Sequence, residues 1–137
     1  MNPQTIQAVI APAFLLIGLS HVLQPQAWVR FFEVLRRTSV AGCIIPMYTL
    51  PISLVLIVGH NVWVWDWPLA LTLAGWGMTI KCTLYLLVPN MAERMLEQGL
   101  AKSERNFQIA GALMALIGGV ITWHAWMPMP PPVPGVA

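Results

Sequence analysis

The sequence predicts an all-α membrane protein, a bundle of four transmembrane helices joined by two amphipathic connecting helices. Of its 137 residues, 58% are hydrophobic and 9% are charged, and the mean hydropathy is +0.70, far from the balance of a soluble domain. A bilayer core about 30 Å thick needs roughly 20 apolar residues per helix. Such runs lie at about 6–23, 40–60, 69–88 and 107–126. Residues 1–127 are therefore expected to form one membrane domain with no room for a soluble catalytic domain.

The first run is expected to be a retained helix rather than a cleaved signal peptide. No basic residue precedes it, and no small-x-small cleavage site occurs before Gln24-Pro25. Over 26–37, apolar residues then recur at helical spacing beside basic ones. This pattern predicts a short amphipathic helix in the lipid interface, although a basic amphipathic helix can also mark a partner site.

The second run contains two prolines, each of which removes a backbone donor and tends to kink a helix. The carbonyls that they leave unpaired must find partners on neighbouring helices. Small and polar residues recur along one face of this run at spacings of three and four, so this face is expected to pack against protein rather than lipid. They are Gly42, Pro46, Thr49, Ser53 and His60.

A turn rich in Trp, His and Asn separates the second and third runs, a composition typical of a membrane–water boundary. The third run contains Lys81, on one helical face with Ala74, Gly77 and Tyr85. Small residues allow another helix to approach closely, so Lys81 is expected to point into the bundle. There it either bonds carbonyls left unpaired by the prolines, reaches the headgroups beside Tyr85, or contacts an anionic or carbonyl-bearing lipophilic ligand.

The last third of the chain is expected to hold a second amphipathic helix over 91–105, with Ser103 capping the fourth membrane helix. Small residues spaced by four in that helix predict close helix packing. They are Gly111, Ala115 and Gly119. Residues 128–137 are rich in proline and predict an extended polyproline II tail.

Charge predicts the orientation of the chain. Six basic residues lie in the two amphipathic connections and none in the central turn. The positive-inside rule then makes both connections cytoplasmic and places both termini and the central turn outside. Two short segments of the sequence are also similar to each other, since each ends an apolar run with a proline four residues after an aromatic-type ring residue. They are His21–Pro25 and Tyr85–Pro89. This similarity indicates either chance or a tandem repeat of helix, surface helix, helix about an axis along the membrane normal.

Part of the sequence resembles a group of small bacterial four-helix integral membrane proteins that have no established activity. The residues that carry the resemblance form an HNxW…TxxGWxxxxK pattern, from His60–Trp63 through Thr72–Trp76 to Lys81, followed by Tyr85–Pro89. The resemblance implies a four-helix inner-membrane fold. Gly18–Pro25 is similar, more loosely, to the first helix of DoxX-like proteins, where Lys usually stands in place of the histidine here. Neither resemblance supplies catalytic residues.

Histidine is the residue type that raises a metal or haem hypothesis. His60 and His124 both end membrane runs on the outer side, where a ligand pair is conceivable. Helical spacing directs His124 away from the small-residue face, which favours an interfacial histidine beside Trp123 and Trp126. No nucleophile with an adjacent base, phosphate loop, CxxC pair or nucleic-acid signature appears.

Two functional hypotheses follow from these patterns. The first is a non-catalytic membrane protein that self-associates or serves as an accessory subunit of a larger membrane complex. The second is a binder or carrier of a small lipophilic ligand in the bundle interior, where quinone, lipid, haem or pigment are the candidates and no cofactor is certain. The candidate ligand-binding residues are Lys81, Tyr85, His60, Ser53 and Thr49. A cavity that reaches Lys81 favours the second hypothesis, and tight packing all round disfavours it.

Overall fold

The computed structural model describes residues 2–38, 40–100 and 103–127. Within them it consists of α-helices, without strands, which confirms the all-α prediction. In chain order they are α1 (Pro3–Leu23), α2 (Pro25–Arg37), α3 (Ala41–Gly59), α4 (Pro68–Leu87), α5 (Met91–Leu100) and α6 (Ser103–Trp126). Among these, α1, α3, α4 and α6 are long and apolar enough to cross a membrane. The proline-rich tail, 128–137, lies outside the described residues.

Proline and asparagine set several of the helix boundaries. Asn2 accepts a hydrogen bond from the backbone of Gln4 at 3.0 Å and thereby caps α1, whose first residue is a proline. Pro25 and Pro68 open α2 and α4 in the same way. Asn90 precedes α5 with φ of 59°, a left-handed conformation that asparagine tolerates better than most residues. The chain therefore turns sharply between α4 and α5.

The fourth long helix begins at Ser103, the residue expected to cap it, about one turn before the apolar run that starts near Phe107. The preceding amphipathic helix, expected over 91–105, is described from Met91 to Leu100. No proline or glycine separates Ser103 from Phe107, so the helix continues through this polar segment. Glu104, in its first turn, also stabilises a helix N-terminus electrostatically.

The helices pack as two pairs, the first of which is α1 against α6. Glycines bring these two backbones together. A Cβ added at Gly18 would lie 2.7 Å from the Gly111 carbonyl oxygen, and a Cβ added at Gly111 would lie 2.7 Å from the Gly18 carbonyl oxygen. Gly118 lies against the Ala11 carbonyl, where a Cβ would come within 2.8 Å. Close packing is as predicted, but Gly118 takes the place assigned to Gly119, since seven residues make about two helical turns.

The second pair is α3 against α4. Its closest approach is at Gly75, where an added Cβ would lie 2.8 Å from Leu56 Cβ. The prediction that Gly77 allows another helix to approach is wrong, because no atom of the described residues lies within 4 Å of a Cβ placed there. Ser53 of α3 and His60, which caps the end of α3, are completely buried. The polar face of this helix therefore packs against protein, as its spacing predicted.

Two hydrophobic clusters lie at opposite ends of the long helices. The cluster near the central turn joins the two pairs and comprises Ile6, Ala11, Phe14, Leu56, Leu71 and Ile121. The cluster at the opposite end packs α2 and α5 onto the α3–α4 pair and comprises Leu35, Ala41, Ile45, Tyr85 and Ala92. Both connecting helices thus lie at the same end of the molecule.

Ion pairs organise the contact between α2 and α5. Arg36 contacts Glu33 at 2.9 Å in its own helix and Glu97 of α5 at 3.4 Å, while Arg37 contacts Glu33 at 2.9 Å. Hydrogen bonds from Arg36 and Arg37 lower the pKa of Glu33 to about 2. Glu33 therefore stays charged at neutral pH and holds both guanidinium groups. Helix α2 packs on other helices and also presents Phe31 and Val34 outwards. It is therefore part of the helix packing as well as amphipathic.

Candidate functional site

A cavity of about 160 Å³ opens between the two helix pairs, next to the connecting helices. Every helix except α1 contributes to its wall. The residues that line it are Phe32, Ile45, Lys81, Tyr85, Met95, Leu96, Gly99 and Phe107. Lys81 is the one residue of that set whose side chain carries a charge, so among the described residues an otherwise apolar and aromatic space has a single cationic group at its edge.

Lys81 is an exposed residue of α4 whose ammonium lies 5.8 Å from the centre of the Tyr85 ring. The ion pairs of the described residues involve Arg36 and Arg37, not Lys81. The expected bonds from Lys81 to carbonyls of α3 are likewise not found among the described residues. The side chain lines the cavity from an open face of α4, since among the described residues nothing lies within 4 Å of a Cβ added at Gly77, about one turn earlier.

Aromatic rings form the opposite side of the cavity and extend away from it. Phe32 of α2 stacks on Phe107 of α6, with ring centres 5.5 Å apart and planes inclined by 18°. Behind them His21 stacks on Trp28 at 3.9 Å and also contacts Phe107 at 5.9 Å. We call these four residues the aromatic wall. Sequence reasoning missed it, since its members come from three helices and only Trp28 and Phe32 share a helical repeat.

Tyr85 is buried at the base of the cavity. It belongs to the hydrophobic cluster under the connecting helices, and its carbonyl oxygen would lie 3.2 Å from a Cβ added at Gly42. Close contact with α3 therefore fixes the backbone that carries Tyr85. This rigid support also positions Lys81, one helical turn earlier on the same face.

Three of the five predicted ligand-binding residues, Thr49, Ser53 and His60, do not line the cavity. Thr49 donates a hydrogen bond to the Ile45 carbonyl at 2.7 Å and lies 2.9 Å from the Cys82 sulfur. Ser53, completely buried, donates to the Leu50 carbonyl at 2.9 Å. Hydroxyl groups within a helix commonly bond a carbonyl of the preceding turn. Both hydroxyls are thereby satisfied inside the α3–α4 pair.

His60 belongs to a separate polar cluster beside the central turn. The Gln7 amide donates to His60 Nε2 at 2.8 Å, so the ring proton resides on Nδ1, which faces the Thr72 hydroxyl at 3.4 Å. That hydroxyl donates to the Val62 carbonyl at 3.0 Å and accepts from the Val62 amide at 3.1 Å. Burial lowers the pKa of His60. The cluster thus holds a neutral imidazole between α1, α3 and α4.

The structure does not combine His60 and His124 into a site. His60 is fully buried, whereas His124 is exposed on α6 between the exposed Trp123 and Trp126. In the three described segments, no group of three or more His, Cys, Asp and Glu side chains is placed to hold a metal ion. The chemistry of the cavity is therefore that of one ammonium group and several aromatic rings.

Comparison with family models, with curated proteins and with solved structures finds no match to this chain. The resemblance to small bacterial four-helix membrane proteins stays a prediction from the sequence. Functional inference rests on the residues and on the geometry around Lys81.

Proposed function

We propose that the protein binds a small lipophilic molecule whose ring carries a carbonyl or anionic oxygen, as a quinone does. The observation that supports this proposal is the cavity that reaches Lys81. An ammonium group in an apolar run is costly in a membrane, at least about 2.5 to 3.5 kcal/mol on insertion scales, and usually has a partner or a function. A ligand oxygen would supply the partner.

Size and shape favour a single ring. A cavity of about 150 Å³ lined by apolar side chains is known to hold one benzene molecule, and the cavity here measures about 160 Å³. Phe32 and Phe107 offer stacking surfaces, and Lys81 offers a donor for an oxygen on the ring. These three residues would thus bind the polar head of the ligand, and the lipid phase would hold any apolar tail.

A tandem repeat would place this site between two equivalent halves, α1–α2–α3 and α4–α5–α6. Exchanging the halves converts the α1–α6 pair into the α4–α3 pair, which matches the observed pairing. Local contacts agree, since Gly111 lies against His21 and Gly42 against Tyr85, and each partner precedes a helix-ending proline segment by the same spacing. Membrane carriers built from repeats commonly bind their substrates at the repeat interface.

We also propose that the four long helices span the inner membrane of a bacterium, with α2 and α5 on the cytoplasmic side. Both connecting helices pack at one end, and the basic residues of the connections belong to that end. The positive-inside rule assigns such an end to the cytoplasm. The Trp-rich turn and both termini would then face the periplasm.

Changing Lys81 to methionine should weaken quinone binding about tenfold or more, because a charge-assisted hydrogen bond contributes about 1.5 to 3 kcal/mol. The probe is a short-chain, water-soluble benzoquinone added to the purified protein in mild detergent. Binding is followed by quenching of tryptophan fluorescence. Lys81→Arg, which retains the charge, should keep most of the affinity.

The matched control is Arg94→Met, which also removes one positive charge but lies on α5 outside the cavity lining. Equal affinities for Lys81→Met and Arg94→Met would refute the assignment of Lys81. A preparation that binds no quinone, and that elutes as an oligomer or with another membrane protein, would support the accessory-subunit hypothesis instead.

Reporter fusions test the proposed orientation. A reporter inserted near Gly99 should remain cytoplasmic, and one inserted between Asn61 and Trp67 should be exported. Changing Arg30, Arg36 and Arg37 together to asparagine should increase the fraction of inverted molecules, whereas Lys81→Met should leave orientation unchanged. Export of the Gly99 reporter would show that the orientation is the reverse.

A further inference from the structure

A second groove lies at the junction of α1 and α2, against the start of α6, and it is separate from the Lys81 cavity. It encloses about 590 Å³, and its polar lining residues are Gln24, Gln26, Arg30, Glu104 and Gln108. A smaller, more apolar space of about 300 Å³ adjoins it and includes Trp28 and Phe31. The two spaces share Gln24 and Ala27. Together they form one surface, the junction groove, with a polar part and an apolar part.

The polar part carries one positive and one negative side chain that do not pair with each other. Arg30 and Glu104 both line it, yet they form no ion pair together, whereas Arg36 and Arg37 of the same helix are held by Glu33. The carboxamides of Gln24, Gln26 and Gln108 add neutral donors and acceptors. The described lining residues of the groove therefore offer a ligand one positive and one negative side chain.

The junction groove lies where the membrane span ends. The apolar helix α1 ends at Leu23, which is 75% exposed, and α2 begins at Pro25 without an intervening loop. On the apolar side Phe31 is 50% exposed, and the Trp28 indole N–H is already satisfied by the Ser20 hydroxyl at 3.0 Å. An amphipathic occupant with a short polar head and an apolar chain fits this boundary.

We propose that the junction groove binds a zwitterionic phospholipid with a primary ammonium group, of the phosphatidylethanolamine class. Arg30 contacts the phosphate, since guanidinium groups suit phosphate oxygens. Glu104 accepts hydrogen bonds from the ammonium, and an acyl chain lies along Trp28 and Phe31. Phosphatidylglycerol would lack the ammonium for Glu104, and a trimethylated head would have no N–H to donate. This site does not depend on the quinone proposal.

Native mass spectrometry tests this assignment. The intact protein in detergent is incubated with an equal mixture of three lipids that have identical acyl chains, and the lipids that stay bound after detergent removal are measured. The lipids are phosphatidylethanolamine, phosphatidylcholine and phosphatidylglycerol. Phosphatidylethanolamine should be retained about threefold or more over each of the others, which corresponds to the energy of a solvent-accessible charge pair. Arg30→Gln should lower its retention about threefold. Glu104→Gln should abolish the preference over phosphatidylcholine and raise retention of phosphatidylglycerol.

Arg94→Gln is the control for charge, because it makes the same change outside the junction groove. Its lipid retention should equal that of the unaltered protein. Preferential retention of phosphatidylglycerol, retention without preference among the three lipids, no retention at all, or equal effects of Arg30→Gln and Arg94→Gln would each overturn the proposal. Circular dichroism shows whether the variants keep their helix content, so that lost retention is not mistaken for unfolding.

Discussion

Replacing Gly111 by valine should separate α1 from α6 and lower the unfolding free energy by about 3 kcal/mol or more, the upper end for overpacked cores. The obstacle is main chain, because even a Cβ at this position would lie 2.7 Å from the Gly18 carbonyl oxygen and 3.2 Å from the Val22 nitrogen. Rotating a side chain cannot relieve such contacts. The measurement is thermal or denaturant unfolding of the purified protein in mild detergent, followed by circular dichroism.

Gly77→Val provides the matched control. It places the same side chain in another long helix, where no atom of the described residues lies within 4 Å of an added Cβ, so stability should change by less than about 1 kcal/mol. Equal stabilities of the two variants would show that the glycine contact between α1 and α6 does not hold this pair together. A milder series, Gly111→Ala and then Gly111→Val, should show progressive loss.

Hydropathy is a local property of the chain, which is why the sequence predicted the four long apolar helices well. One apolar run ends just before Pro25 and another begins just after Pro68, and the helix boundaries follow these signals closely. The pairing of helices is not local. Gly75 and Gly77 differ by two positions and look alike in the sequence, yet only Gly75 meets a neighbouring helix. A choice of this kind depends on the rotation of each helix, which composition does not determine.

The residues of the candidate site were also predictable only in part. Lys81 was identified because a cation within an apolar run is unusual, and Tyr85 because it shares that helical face. Phe107 was missed, since it joins the cavity only through the packing of α6 against α2. Thr49 and Ser53 were assigned to the ligand, although each hydroxyl bonds a carbonyl of its own helix. The sequence does not indicate whether a hydroxyl in a helix will bond a ligand or a carbonyl of its own helix.

His60 illustrates a buried group whose partner is invisible in the sequence. The spacing of α3 correctly placed it on a protein-facing side, but Gln7, which bonds it at 2.8 Å, lies 53 residues away on α1. The imidazole fits this place only in its neutral form, since Nε2 accepts from the Gln7 amide. Protonation would add a charge to a completely buried side chain and would abolish that acceptor.

The unfolding free energy should therefore fall as the pH is lowered below about 6.5, the usual pKa of histidine. Burial holds the pKa of His60 below that value in the folded protein, so in this range the unfolded chain binds more protons than the folded one. Stability is then retained above about pH 6.5 and lost at up to about 1.4 kcal/mol per pH unit below it. The stabilising contribution of Glu33, whose pKa is lowered from 4.5 to about 2, is fully present throughout this range and is lost only as the pH falls below about 4.5.

Unfolding measured between pH 7.5 and 5.5 isolates this effect. His60→Gln should remove the slope, even though the variant is less stable at every pH, because no buried group then titrates in the range. His124→Gln should retain the full slope, since His124 is exposed on α6. If the unaltered protein and His60→Gln give parallel curves, the imidazole does not titrate against the fold, and the cluster of Gln7, His60 and Thr72 is not the link between α1 and the α3–α4 pair that its geometry indicates.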